Sequence, residues 1–473
     1  MKIYYTLLIN KNHLGFFVNI QTVNPATGKV LSIYTQLEQK DIFECIETSY
    51  KSYLVWRKTS FESRGKLMLN LAALLRKKKD EYAALIAREM GKPVAAGQAE
   101  LEKCALVCEH YAVFTETYLS PRMIKTEHKK SMVCYQPLGV ILGIMPWNFP
   151  FWQVFRFAVP TLMAGNTAIL KHASISVGTG NAIAALFLQA GFPVGIFQHL
   201  IMDKNSVSDV ISHEKIAAVT LTGSEQAGKT VAAQAGQHLK KVMLELGGSD
   251  PYLVLADADI QLAARCIVDS RLNNCGQVCI AAKRVLVVAE ILEQLVDEIQ
   301  LQMACYKIGD PLDMITNLGP MAREDLRTTL HQQVLDSIAK GARLCLGGMI
   351  PNTPGFYYPP TLLTHVSPGM PAFDEELFGP VISVIGVQDE AEAISLANQT
   401  HYGLGAAVFT RDIARGEHIA VHDIEAGVCF VNAIVASDPR MPFGGIKKSG
   451  FGRELSREGI LEFVNVKTVV LNE

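Results

Sequence analysis

The chain lacks the features that mark several large classes of protein. It has no run of about 18 apolar residues, the length a membrane-crossing helix needs, so no membrane partner is expected. Its charge is nearly balanced, with 44 Lys and Arg against 46 Asp and Glu and a formal net charge of −2. That leaves no basic footprint for nucleic acid. The ten cysteines stand singly or as the CxxxC pairs Cys104/Cys108 and Cys275/Cys279. No CxxC and no Cys/His cluster with zinc spacing occurs, so no metal site is expected. In a chain this long the cysteines read as mostly reduced core thiols, which points to the cytosol. The dinucleotide fingerprint GxGxxG is missing, as are internal repeats and low-complexity linkers.

What is present is a globular composition, 49% apolar and 19% charged over 473 residues. That length allows two or three domains with large cores. Residues 61–79 read as an amphipathic helix with Leu67, Leu71, Leu74 and Leu75 on one face. Strand-like apolar runs at 140–145, 167–170, 217–221, 242–246 and 252–255 alternate with helical patterns at 152–163 and 177–190. This alternation predicts a parallel α/β sheet covered on both faces. A second α/β region follows Gly248, with a helical pattern at 260–271, a strand at 284–288 and alternation to about residue 431. Residues 1–18 are apolar and aromatic, but the run 3–9 is short and no small-residue cleavage site follows. A loosely attached extension is expected there, not a secretory signal.

Three segments carry chemistry. Asn273-Asn274-Cys275-Gly276-Gln277-Val278-Cys279 puts a thiol in a small polar turn that Gly276 permits. Taken alone, one cysteine among ten is a core filler; this polar setting makes Cys279 the candidate nucleophile. Cys275 reads as a space-filler, with a bridge to Cys279 under oxidation as a minor alternative. Glu245-Leu246-Gly247-Gly248 ends an apolar run in a carboxylate. Partial burial there raises the Glu245 pKa and suits it to act as a base. Pro146-Trp147-Asn148-Phe149-Pro150 holds an amide between rigid prolines. Asn148 is either a turn former or an oxyanion donor. Nucleophile, base and oxyanion donor together are the parts for covalent chemistry at a carbonyl carbon.

These segments resemble the signature motifs of the NAD(P)-dependent aldehyde dehydrogenase superfamily, and the resemblance runs from about Val23 to the C-terminus. It implies a Rossmann-type cofactor domain (21–118 and 137–247), an α/β catalytic domain (248–435) and a small β oligomerisation element (119–136 and 436–473), with 1–20 as an extension. A homodimer or homotetramer is implied. The resemblance assigns Cys279, Glu245 and Asn148 their catalytic roles, with hydride passing to the nicotinamide and a thioester left for water. Glu245 argues against the coenzyme-A-dependent branch, which needs no such base.

Gly223-Ser224-Glu225-Gln226-Ala227-Gly228-Lys229-Thr230 satisfies the Walker A pattern, and Asp257 after an apolar run passes for Walker B. A P-loop NTPase is therefore a rival reading. The rival leaves Cys279, Glu245 and Asn148 without a purpose, whereas Gly223 and Ser224 resemble the aldehyde dehydrogenase turn that meets the pyrophosphate. Lys171 and Ser174 resemble the strand end that meets the adenosine ribose. Many NAD-preferring relatives carry an acidic residue where Ser174 stands, so NADP is expected as the preferred cofactor, with NAD the alternative. Trp147, Leu246, Glu376 and Phe378 are the remaining cofactor contacts the resemblance implies.

An arginine in the apolar stretch Phe149–Arg156 needs a partner. It is either an internal ion pair or a clamp for a substrate carboxylate. Arg156 and Ser437 match the pattern of succinate-semialdehyde dehydrogenases, where an Arg and a Ser hold the distal carboxylate. A second Arg found in some members is replaced by Asn273, with Arg271 two residues earlier. Succinate semialdehyde is thus the expected substrate, with glutarate semialdehyde and other small aldehydes as alternatives.

Overall fold

The computed structural model describes residues 19–472; the expected extension 1–18 lies outside them. Two large sheets organise the chain. The first has six strands in the order Gly450–Phe451, Lys241–Glu245, Ile216–Thr222, Val140–Met145, Thr167–His172, Phe197–His199. Five of these run parallel, and only Gly450–Phe451 is antiparallel. The second has seven strands in the order Arg343–Leu346, Thr361–Thr364, Val381–Val387, Arg284–Val288, Pro251–Val254, Gly405–Phe409, Val428–Val431. All but Arg343–Leu346 are parallel. Central strands such as Val140–Met145 and Arg284–Val288 are buried almost throughout. Their continuous apolar runs are what a parallel sheet covered on both faces demands.

The sequence pattern located these elements to within a residue or two. The strands at Val140–Met145 and Arg284–Val288 and the helix Trp152–Met163 have the expected bounds. The first amphipathic helix differs. It ends at Lys77, and a second helix, Lys79–Met90, follows directly until Gly91 stops it with φ of 83°. Its buried face is Met68, Leu71, Ala72 and Leu75, while Leu67 and Leu74 are only half-buried.

Two buried carboxylates fix the helices that flank the first sheet. Glu89 accepts from the backbone N–H groups of Gly178 (2.8 Å) and Thr179 (2.9 Å), at the start of helix Val177–Gln189. Glu100, on helix Val94–Leu119, accepts from Phe151 (2.9 Å) and Trp152 (3.0 Å), at the start of helix Trp152–Met163. Each answers donors that the first turn of a helix leaves unsatisfied. Glu100 also pairs with Lys92, and both side chains are fully buried.

A small antiparallel sheet stands apart, with strand order Val464–Leu471, Lys130–Pro137, Arg122–Ile124. Met123, Val466 and Val470 on it are exposed. Strands from 119–136 and from the C-terminal segment, the stretches the resemblance assigns to a small β element, meet in this sheet.

Removing Glu100 should cost far more than removing its neighbour Glu102. Glu100→Ala leaves Lys92 charged and alone in the core, at about 3–5 kcal/mol. Glu102 pairs with Arg76 at the surface, and Glu102→Ala should cost about 0.5 kcal/mol. Urea unfolding of both variants checks this; similar midpoints would contradict the account.

Candidate active site

The order of the first sheet determines where a ligand can sit. From Val140–Met145 the chain steps outward to Thr167–His172 and Phe197–His199, then returns to the other side at Ile216–Thr222. The direction reverses between Val140–Met145 and Ile216–Thr222. In open parallel sheets a crevice opens at the carboxyl ends of the strands at such a point. Four of the segments singled out in the sequence leave this edge. Trp147 and Asn148 follow one strand, Gly223 and Ser224 the next, Glu245 ends a third, and Lys171 to Ser174 close the fourth.

The turn bearing Cys279 comes from the second sheet, between helix Ile260–Leu272 and strand Arg284–Val288. Asn274, Cys275 and Gly276 adopt φ of 51°, 55° and 70°. Three consecutive left-handed residues are rare, and only glycine does this freely. A Cβ on Gly276 would also lie 2.0 Å from the carbonyl oxygen of Gly379. Asn148 Nδ2 donates to the Gln277 carbonyl (2.9 Å), and Asn274 Nδ2 donates to the Asn148 carbonyl (2.7 Å). Gln277 Nε2 donates to the Asn274 carbonyl (3.1 Å), and Gln277 Oε1 accepts from Ala322 N–H (2.9 Å). One N–H of Asn148 is thereby fixed, leaving the other for a ligand. Cys279 is half-buried, and burial pushes its thiol up to about 12, against the pull of Arg156 and Lys283. Cys275 is a free thiol buried in the core of the second sheet.

Glu245 is buried, and among the described residues neither carboxyl oxygen has a partner within hydrogen-bond geometry. Desolvation pushes it up to about 8, Arg156 pulling it down and Glu454 pushing it further. The glycines after it permit a close crossing. A Cβ on Gly248 would lie 2.9 Å from the Cys279 carbonyl oxygen, so the segment after Glu245 passes directly by the Cys279 backbone.

Arg156 does not stand free as a carboxylate clamp. It is buried in an ion pair with Glu454, and its guanidinium lies 4.0 Å from Glu245. This corrects the clamp expectation in favour of the internal ion pair, because a guanidinium in an apolar core must be neutralised there. Arg271 also turns inward, donating to the carbonyls of Leu377 (2.6 Å) and Val381 (2.5 Å). Ser437, on the loop before Gly444, accepts from Lys103 Nζ (2.8 Å). Lys103, Lys283 and Glu454 escaped the sequence reading. Lys103 and Glu454 lie on elements far along the chain from their partners, and no local motif marks them. Lys283 was legible only as a charge four residues after Cys279.

On the cofactor side, Trp147 and Phe378 meet edge-on with ring centroids 5.9 Å apart. Glu376 accepts from Gly248 N–H (3.1 Å) and lies 3.5 Å from Lys283. Its carboxylate fills the space above Gly247, where a Cβ would come within 2.4 Å. Leu246 packs on Gly228 of helix Glu225–Gln237. Ser224 caps that helix, accepting from Ala227 N–H (3.3 Å). A dinucleotide fits these residues. A Cβ on Gly223 would meet nothing nearer than Leu221 at 3.5 Å, so the helix start is open to a phosphate. Ser174 is exposed, and among the described residues no carboxylate lies within 4.0 Å of the Lys171 ammonium.

The Walker reading is overturned. Its two halves fall on different sheets, the first after Ile216–Thr222 and Asp257 after Pro251–Val254. Lys229 pairs with Glu225 at 2.5 Å on its own helix, and Thr230 donates to the Gln226 carbonyl (3.0 Å). Asp257 accepts from Thr410 Oγ1 (2.9 Å) and Arg411 N–H (3.0 Å), a structural role.

A thiol, a buried carboxyl and an oriented amide at the mouth of a dinucleotide crevice define an oxidoreductase acting on carbonyls. Residues 17–469 match the aldehyde dehydrogenase family, and the chain belongs to it. It is 46% identical over 450 residues to a probable succinate-semialdehyde dehydrogenase (NADP(+)) of Synechocystis, covering 95% of this chain and 99% of that one. It is 45% identical over 448 residues to the succinate semialdehyde dehydrogenase (NAD(P)+) Sad of Escherichia coli, covering 95% and 97%. The crystal structure of succinic semialdehyde dehydrogenase from Streptococcus pyogenes in complex with NADP+ superposes with a TM-score of 0.94 at 34% identity, covering 96% of this chain and all of that one.

Gly276→Ala tests the geometry of the turn. The added methyl forces the turn away from Gly379, and a shift near 1 Å at a reacting atom costs about 100-fold in rate. Activity should fall by that order while cofactor binding, followed by fluorescence quenching, stays within about threefold of the parent. Retained activity would contradict the account.

Proposed function

We propose that this protein oxidises succinate semialdehyde to succinate with NADP, and less well with NAD, through an acyl-cysteine. The observation that carries the reading is the bolted pair of Asn148 and the Cys279 turn beside the buried Glu245. Two relatives at 45–46% identity that bear this activity in their names support the substrate.

Cys279 Sγ attacks the aldehyde carbon, and its proton needs an acceptor because burial holds the thiol high. Glu245 in its carboxylate form serves, with the Arg156 field favouring that form. The oxygen gaining charge is held by the free N–H of Asn148 and the Cys279 backbone N–H. Such donors contribute about 100- to 1,000-fold in rate. A bound nicotinamide would supply the acceptor for the hydride that the adduct releases. Cys279 then carries the acyl group as a thioester. After passing the thiol's proton to solvent, Glu245 takes a second proton from water, whose oxygen bonds to that carbon. The C–S bond breaks, the Cys279 thiolate leaves and is reprotonated, and the acid is freed.

Gly223 and Ser224 would hold the pyrophosphate at their helix start. Lys171 and Ser174 would meet the adenosine ribose and its 2′-phosphate. Glu376 would accept from the nicotinamide ribose, with Trp147, Leu246 and Phe378 around that end. Residues 21–118 and 137–247 make the cofactor domain and 248–435 the catalytic one. The exposed apolar residues Met123, Val466 and Val470 support a homo-oligomer built through 119–136 and 436–473. The cytosol is the proposed location.

The deciding experiment is the rise in absorbance at 340 nm with succinate semialdehyde. It should require Cys279, vanish in Cys279→Ala, and show higher kcat/KM with NADP than with NAD. Ser174→Glu should cut the NADP-to-NAD ratio about tenfold or more by repelling the 2′-phosphate. No Cys279-dependent rise would refute the reading.

The raised Glu245 also sets a pH profile. Its base form is present above about 8 and is lost as pH falls through that value. Hydrolysis of the acyl-enzyme, measured in single turnover, should rise with pH up to about 8 and then level. Glu245→Gln should abolish that rise and slow the step by about 100-fold or more. An unchanged profile in this variant would assign the base elsewhere.

A further inference from the structure

We infer that Lys103, together with Ser437, anchors the distal carboxylate of the substrate and sets the preference for an acidic aldehyde. The inference rests on the reading of the substrate given above and deepens it.

Lys103 lies on helix Val94–Leu119, one turn beyond Glu100. Glu100 holds the N–H groups of Phe151 and Trp152, so it fixes the helix that follows the Asn148 loop. The Lys103 ammonium lies 4.4 Å from the centre of the Trp152 ring and donates to Ser437 Oγ at 2.8 Å. It therefore sits beside the segment that carries Asn148, joined to a hydroxyl from the far end of the chain.

The neighbouring charges leave it without a counter-ion. Arg156 is spent on Glu454. Glu100 is spent on Lys92 and two backbone donors. Asp438 faces Lys103 but is held by Arg440 through both oxygens, at 2.9 and 2.7 Å. Among the described residues no carboxylate lies within 4.0 Å of the Lys103 ammonium. A half-buried ammonium without an anion is costly, and an arriving carboxylate removes the cost. Desolvation first, then Arg156, push it down to about 8, against a weaker pull from Asp438 and Glu100, neither of which pairs with it. The Trp152 ring face holds the ammonium in place, and the Ser437 hydroxyl beside it can donate to the same anion. Arg156, neutralised in place, supplies no such vacancy.

The test compares Lys103→Met with the parent enzyme on succinate semialdehyde and on butanal, the same chain length without the carboxylate. The parent should prefer succinate semialdehyde. In Lys103→Met the KM for succinate semialdehyde should rise about 10- to 100-fold, the worth of one charged hydrogen bond. The kcat for it and both constants for butanal should stay within about threefold, which also shows that the variant is folded. Lys103→Arg should recover most of the lost affinity. An unchanged preference in Lys103→Met, equal losses on both aldehydes, or an arginine variant no better than methionine would overturn the anchor while leaving the substrate reading intact. A parent enzyme indifferent to the carboxylate would overturn the substrate reading and the anchor with it.

Discussion

Two hydrogen bonds join the carboxyl edges of the two sheets, and the site depends on them. Asn148 donates its side-chain amide to Gln277, while its own carbonyl accepts from Asn274. The exchange locks a loop of the first sheet to the turn of the second, so the amide and the thiol face the same space. Left-handed backbone at Asn274 and Cys275 costs about 1–3 kcal/mol each. The buried amides of Asn274 and Gln277 offset it, since each leaves a costly orphan if the turn relaxes. The strain is therefore held by the same bonds that orient the chemistry.

A second constraint is electrostatic. Arg156 is one cation among two buried carboxyls, Glu245 and Glu454. Burial raises both acids, and one guanidinium cannot neutralise two carboxylates in a dry core. Glu454 is in direct contact with Arg156, while at Glu245 burial outweighs the pull of Arg156 and Arg453 and pushes the carboxyl up to about 8, a range in which a base for water is useful. The internal ion pair of Arg156 thus helps set the pKa of Glu245.

The sheets were legible because parallel strands buried on both faces read as unbroken apolar runs, as at Val140–Met145 and Arg284–Val288. The candidate reacting groups stand out in the sequence because each lies near a glycine or proline: Glu245 before Gly247, Asn148 between Pro146 and Pro150, Cys279 after Gly276. Partners were not legible. Arg156 finds Glu454, and Lys103 finds Ser437, across 334 residues in the second case. No periodicity encodes such a meeting; it follows from how the sheets dock. The Walker pattern failed for the same reason. Gly223 to Thr230 has the right local form, a strand end and a capped helix, but its lysine meets Glu225 one turn back on the same helix. A motif fixes the backbone that can bind phosphate, and its surroundings decide which phosphate.

This division of labour bears on how such a fold can change its substrate. Asn148, Glu245 and Cys279 sit on strand ends and a strained turn, held by backbone that tolerates little alteration. Lys103 projects from a long helix whose own ladder is complete without it, and Ser437 from a loop. On the assignment proposed for them, exchanging either would alter which aldehyde is welcome without disturbing the bonds between Asn148 and the Cys279 turn. Arg156 is different: replacing it strands Glu454 and shifts Glu245, so its loss affects every aldehyde alike. A cation that balances the base and a cation that reads the substrate are separate demands. The structure meets them with separate residues.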